Sequence, residues 1–233
     1  MNVSHRYNLV EVILALGVMA IGVVSVMALF PIGANASRDA SMETYAANVA
    51  DEMLQFIKYR LKEVNAGDTQ SAIDGRWNAL VGSGGLITSN KLGDDAPSWN
   101  MANVSDLDNT DIWNTPGSMF GTVFNDSHTI YQSQSDPQLF QLLSHHNPAG
   151  RNLGYTDADN PENDFATNVD FRAIANIWKE QIVMDPTQNG SDYEVPYSEG
   201  VRIILRVSWP AEIPYSARQK ADYVLEVFKP YID

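Results

Sequence analysis

The feature that most constrains this chain is a predominantly apolar run over residues 9–32, in which Glu11 is the only charged residue. As an α-helix the run would be about 36 Å long, and the hydrocarbon core of a bilayer is about 30 Å thick. A soluble domain seldom buries about twenty consecutive apolar residues in one helix. The run therefore predicts a membrane-spanning helix, with a buried core helix as the alternative.

A cleaved secretory signal peptide is a second alternative. Ala34-Asn35-Ala36 has the small-x-small form of a signal peptidase site, so cleavage would follow Ala36. The apolar run is longer than the usual signal core of about 7–15 residues. It also begins with the carboxylate of Glu11, where a signal peptide carries positive charge. Both features favour a retained helix.

The helical period continues beyond the apolar run, on one face only. Its apolar residues, at steps of three and four, are Tyr45, Val49, Met53, Phe56, Ile57, Leu61 and Val64. This spacing predicts an amphipathic helix that packs against protein and ends at residues 65–68. Pro31 and Gly33 stand between the two halves and predict a kink or local melting there.

The stretch 65–170 is rich in Asn, Asp, Ser, Gly and Thr, which predicts a loop-rich insertion with short elements. Within it, residues 121–124 and 129–131 flank a turn and predict a hairpin. Residues 136–143 predict a short capped helix, and the apolar spacing over 171–182 predicts a second helix.

Strict alternation marks the clearest strand, over residues 201–209, which Pro210 ends. A second strand is predicted over residues 223–228, with Pro230 behind it. The short connection permits an antiparallel pair. One long helix with a late antiparallel sheet indicates the α+β class, in which the amphipathic half of the helix packs on the sheet.

The charge balance excludes several functions. The chain has 29 Asp and Glu against 15 Lys and Arg, a net charge of −14. Arg6 and Glu11 cancel within residues 1–32, so the whole excess belongs to an acidic head. An acidic head disfavours a nucleic-acid partner, which needs a basic face.

The absence of cysteine excludes a disulfide framework, a thiolate zinc site and a cysteine nucleophile. No phosphate loop or nucleophile elbow is present, so no enzyme is predicted.

Two acidic clusters raise the question of calcium, which prefers six to eight oxygen ligands. The first covers residues 106–111 and the second residues 157–164. Neither has the glycine and terminal glutamate of an EF-hand, so solvated acidic loops are the alternative. The calcium candidates are Asp157, Asp159, Glu162 and Asp164. The adjacent pair His145-His146 lacks the four-residue spacing of a metal-binding helix.

The segment Tyr7-Asn8-Leu9-Val10-Glu11-Val12-Ile13-Leu14-Ala15-Leu16 resembles the N-terminal signature of type IV pilins and type II secretion pseudopilins. The resemblance implies a short leader over residues 1–6, cut by a prepilin peptidase between Arg6 and Tyr7, with methylation of the new amine. It also implies that Glu11 neutralises the amine of a neighbouring subunit during assembly. Arg6 stands where the family has glycine or alanine, so a retained leader, with Arg6 as the cationic partner of Glu11, is the alternative.

The resemblance further implies the organisation of the chain. Residues 1–6 would be the leader-like segment, 7–32 the transmembrane helix half, 33–66 the amphipathic half, and 67–233 a periplasmic or extracellular head. The expected partners are other pilin-like subunits, the inner-membrane assembly machinery and membrane lipid. The large head favours a minor subunit, and calcium in some pseudopilin heads favours the second acidic cluster. The alternatives are a single-pass anchored envelope binding protein and a secreted protein cleaved after Ala36.

Overall fold

The computed structural model describes residues 8–93, 107, 112–114, 128–145, 169–184 and 193–232. Two compact units are present, one ending at Thr44 and the other beginning at Tyr45. The helices are α1 (Leu9–Lys62) and α2 (Gln70–Val81). The strands are β1 (Trp113–Asn114), β2 (His128–Ser133), β3 (Leu139–His145), β4 (Val169–Glu180), β5 (Ile182–Met184), β6 (Tyr193–Val195), β7 (Gly200–Trp209) and β8 (Gln219–Phe228).

Helix α1 is continuous over its whole length. Asn8 directly precedes it, and the amide N–H of Val10 donates to the Asn8 side-chain oxygen at 3.5 Å. The helix continues through Pro31 and Gly33, so the predicted local melting at this junction is wrong. It ends at Lys62, shortly before the predicted stop.

The second half of α1 supplies one side of the head core. The buried side chains include Val49, Met53, Phe56, Ile57 and Leu61, as the amphipathic period predicts. The half-buried ring of Tyr45, the first residue of the predicted apolar stripe, lies 6.0 Å from the ring of Phe171 on β4. Val64, the last residue of the predicted stripe, lies beyond the helix and is 45% exposed.

A six-stranded antiparallel sheet forms the other side of that core, in the order β1-β2-β3-β4-β7-β8. Toward the β8 edge, Ile177 of β4 pairs with Leu205 of β7, which pairs with Tyr223 of β8. The predicted strands over 201–209 and 223–228 are confirmed, and so is their antiparallel pairing. A long helix with an antiparallel sheet confirms the α+β class. Strands β5 and β6 form a separate small hairpin.

The two predicted short helices are wrong, because residues 136–143 and 171–182 lie in strands and their connections. In β3 the side chains from Leu139 to Ser144 are all buried, and in β4 those from Phe171 to Lys179 are all buried. A strand covered on both faces needs apolar residues on both and loses its alternation. The spacings of three and four in these runs are therefore coincidental.

The face of the sheet opposite to Phe171 is covered by a second core cluster. Its buried members are Leu107, Trp113, Leu139, Ile174, Ala211 and Tyr215. The described part of the 65–170 stretch contributes helix α2 and strands β1 and β3, which the composition did not predict, together with β2. Residues 129–131 of the predicted hairpin are confirmed as a strand, but β2 pairs with β3. The predicted partner over 121–124 lies outside the described residues.

Candidate functional site

The first part of α1 exposes apolar side chains on every face. We call residues 9–32 the apolar segment; every side chain in it is exposed, including Leu9 at 74% and Phe30 at 71%. Within the described residues, α1 is the one helix long and apolar enough to cross a membrane. A surface of this size and uniformity needs cover from lipid or from other apolar helices.

Most polar groups of the apolar segment are satisfied inside the helix. The backbone is helical throughout, which pairs its amides within the segment, except that Pro31 supplies no N–H for the carbonyl four residues before it. The hydroxyl of Ser25 donates to the carbonyl oxygen of Ile21 at 2.8 Å. Gly17 and Gly22 have open space where a side chain would stand, so another backbone can approach closely there.

Glu11 has a polar side chain that, unlike that of Ser25, is not hydrogen-bonded within the helix. It lies in the first turn of α1, where a negative charge is favourable near the helix N-terminus. Its backbone N–H donates to the carbonyl oxygen of Asn8 at 2.9 Å. Its carboxylate is exposed and pairs with no side chain in the described residues. Tyr7 and Arg6 lie outside those residues, so leader cleavage and their pairing with Glu11 stay predictions.

The predicted calcium ligands cannot be placed. Asp157, Asp159, Glu162 and Asp164 lie outside the described residues, as do the acidic residues of the first cluster. Across the described ranges, no group of three or more His, Asp and Glu side chains could hold a metal ion. Calcium binding therefore stays a prediction for the 157–164 stretch.

The head contains a buried cation that sequence reasoning missed. The ammonium of Lys179, on β4, donates to the carbonyl oxygens of Val81 at 2.6 Å and Gly82 at 2.9 Å. These groups end α2, so Lys179 places positive charge at the negative end of that helix. The ammonium also lies 4.8 Å from the ring centre of Tyr197. Burial lowers the pKa of Lys179.

Two arginines of β7 form ion pairs across to β8. Arg206 binds Asp222 through two nitrogen–oxygen contacts of 2.7 Å, and Arg202 binds Glu226 at 2.7 Å. Arg206 also lies 5.6 Å from the ring centre of Trp178. The hydrogen bond from Arg206 lowers the pKa of Asp222 and raises that of Arg206. Both arginines occupy the polar positions of the alternating strand, so their placement was predictable and their partners follow from the register.

A third set of charges joins α2 to its flanking segments. The guanidinium of Arg76 bonds the carboxylate of Asp68 and donates to the carbonyl oxygen of Glu63 at 3.0 Å. The hydrogen bond from Arg76 lowers the pKa of Asp68. Asp74 pairs with Lys229 near the C-terminus at 3.0 Å. These charges are structural, because each connects two elements of the head.

No family model, curated protein or solved structure matches this chain. The apolar segment and the carboxylate of Glu11 are the features of the described residues that bear on function.

Proposed function

We propose that this chain is a pilin-like structural subunit that assembles through its N-terminal helix into a type IV pilus or a type II secretion pseudopilus. The observation that carries the proposal is an exposed, uniformly apolar helix segment with one carboxylate in its first turn. The same helix continues into a half that packs on an antiparallel sheet, so anchor and head share one element.

Glu11 is the residue that favours assembly over simple anchoring. A carboxylate in hydrocarbon costs free energy, about 2.5–3.5 kcal/mol at mid-depth and less near an end. An anchor gains nothing from it, whereas a subunit that pairs it with a cation on a neighbour does. Gly17 and Gly22 support the same role, because small residues let helices approach closely where no hydrophobic force draws them together.

The proposal includes a location and a set of partners. The subunit would sit in the inner membrane with its head in the periplasm, and then pass into the filament. Its partners would be other pilin-like subunits, the assembly machinery and membrane lipid. Its role would be structural, with the acidic head remaining soluble outside the membrane.

The resemblance of residues 7–16 to the pilin signature supports this reading over the two alternatives. Cleavage after Ala36 would have to open an uninterrupted helix, because residues 34–36 lie within α1. An anchored binding protein would share the membrane helix, and only the requirement for Glu11 separates it from a filament subunit.

The test is Glu11→Gln in the full-length chain in its native host. The neutral side chain cannot pair with a cation, so we expect sheared filament or pseudopilus material to fall about tenfold or more while the membrane level is unchanged. Asp51→Asn is the matched control, since Asp51 is an exposed carboxylate on the same helix. Wild-type filament yield from Glu11→Gln would contradict the proposal.

A further inference from the structure

Acidic and basic residues are unevenly distributed along the second half of α1. The acids are Asp39, Glu43, Asp51 and Glu52; one base, Arg38, precedes them, and three bases, Lys58, Arg60 and Lys62, follow them. The helix dipole accounts for cations in the last turn, where Arg60 and Lys62 lie. It does not account for Asp39 and Glu43, which stand several turns from either end of α1.

Five of these charges have no partner within the described part of the chain. Asp51 accepts a hydrogen bond from Gln55, and Arg60 pairs with Glu63. The five without a hydrogen bond or ion pair are Arg38, Asp39, Glu43, Lys58 and Lys62. All are exposed except Lys58, which is half-buried, and four of them form two like-charged pairs, Asp39 with Glu43 and Lys58 with Lys62.

The spacing of the four is regular. Asp39 and Glu43 are one turn apart, as are Lys58 and Lys62, so like charges stand next to each other within one copy. Each lysine follows its acidic counterpart by nineteen positions, and that offset is the same for both pairs. On an α-helix it corresponds to a rise of about 28 Å and a rotation of about 100°. One axial shift between two parallel helices therefore brings both acid–base pairs together.

We propose that parallel copies of this helix pack with a nineteen-residue stagger, in which Asp39 and Glu43 of one copy pair with Lys58 and Lys62 of the next. This proposal rests on the proposed function and names the neighbour as a second copy of the chain. The two acids and the two lysines occupy different faces of the helix, so each copy uses one face for one neighbour and the other face for the next. The contact is therefore head-to-tail. Such a contact does not close on itself, and it extends into a filament.

Disulfide trapping tests the stagger directly, because the chain has no cysteine of its own. In the full-length double variant Glu43→Cys/Lys62→Cys, the two cysteines of one helix stand too far apart to bond each other. We expect oxidation in the membrane to give a ladder of dimers and higher oligomers. Glu43→Cys/Arg60→Cys is the matched control, because Arg60 is exposed and lies about 160° around the helix from Lys62. We expect at least tenfold less ladder from the control.

Charge reversal provides a second readout that does not depend on cysteine. Asp39→Lys/Glu43→Lys should lower filament yield about tenfold by placing like charges together, and adding Lys58→Glu/Lys62→Glu should restore it. Equal ladders from both cysteine pairs, or a trapped neighbour other than this chain, would overturn the stagger. If neither cysteine pair gives crosslinked oligomers but assembly still requires Glu11, the stagger is overturned and the proposed function is not. If crosslinked oligomers are absent and assembly does not require Glu11, the proposed function is overturned as well.

Discussion

The two halves of α1 carry similar apolar side chains in opposite surroundings. Ile21, in the apolar segment, is 70% exposed, whereas Ile57, in the second half, is fully buried. The difference lies in how the apolar residues are arranged. In the apolar segment they occupy every face of the helix, and in the second half they occupy one.

This contrast shows which surroundings each half can accept. One face of a helix is covered by packing on one sheet, as the contact between Tyr45 and Phe171 illustrates. A helix that is apolar on every face would still expose most of its apolar surface to water if it packed on one sheet. Such a helix therefore requires lipid or several neighbouring helices around it. The lone carboxylate of Glu11 is informative because every other residue around it is uncharged.

The largest expected effect separates the two halves by one matched substitution. Ile57→Ala removes buried methyl groups and leaves a cavity, so we expect the free energy of unfolding of the head to fall by about 2–5 kcal/mol. Ile21→Ala, at an exposed position, should leave it unchanged. Denaturant titration of both full-length variants in detergent measures the difference. Equal losses would mean that the apolar segment also belongs to the head core.

The next effect concerns the end of α2. Lys179→Met keeps most of the side-chain volume but removes the donor to Val81 and Gly82, so we expect a loss of about 1.5–3 kcal/mol. Amide hydrogen exchange should accelerate in α2 and stay unchanged in α1 before Thr44. Unchanged exchange in α2 would show that the ammonium does not cap this helix.

Two glycines should respond with opposite signs. Gly67, in the turn after α1, has a φ of 88°, which an alanine adopts only with strain. Gly67→Ala should cost about 1 kcal/mol. Gly75 lies inside α2 with open space around it, and Gly75→Ala should gain about 0.5–1 kcal/mol from helix propensity. The melting temperatures of both variants test this: Gly67→Ala should lower the melting temperature and Gly75→Ala should raise it. Shifts of the same sign in both variants would contradict the prediction.

The smallest effect depends on pH. Because Arg206 holds the pKa of Asp222 below 3.8 in the folded head, the pair stabilises the head above that pH. The stabilisation is lost as pH falls through the lowered pKa. Asp222→Asn should therefore cost about 0.2–1 kcal/mol near neutral pH, and this cost should shrink as pH falls below the ordinary pKa of an aspartate. A cost that is independent of pH would exclude the ion pair as its source.

Sequence predicts the parts of the fold in which one face keeps polar residues. The stripe of α1 is one case, and β7 is another, because Arg202 and Arg206 on its second face stay partly exposed although Ile204 on that face is buried. The sequences of β3 and β4 instead predict helices, because both faces of these strands are covered and their alternation is lost. Helix α2 gave only a weak signal: Ile73, Trp77 and Val81 are buried at four-residue steps, with a glycine between the first two.

The candidate site divides in the same way. Glu11 is recognisable in sequence, because a single charge in an apolar run needs either a place near the membrane surface or a cationic partner. Lys179 is not, since it stands 98 positions from Val81 and only the folded chain brings them together. The four charges of the proposed stagger are visible in sequence, but their lack of partners required the structure.

The most direct test of the account is the accessibility of two cysteines introduced into the cysteine-free full-length chain. In intact membranes, a membrane-impermeant maleimide should label Ser71→Cys, at an exposed position of α2, and should not label Gly17→Cys until detergent is added. This result would place the apolar segment in lipid or among helices, with the head in water. Equal labelling of both cysteines without detergent would contradict it.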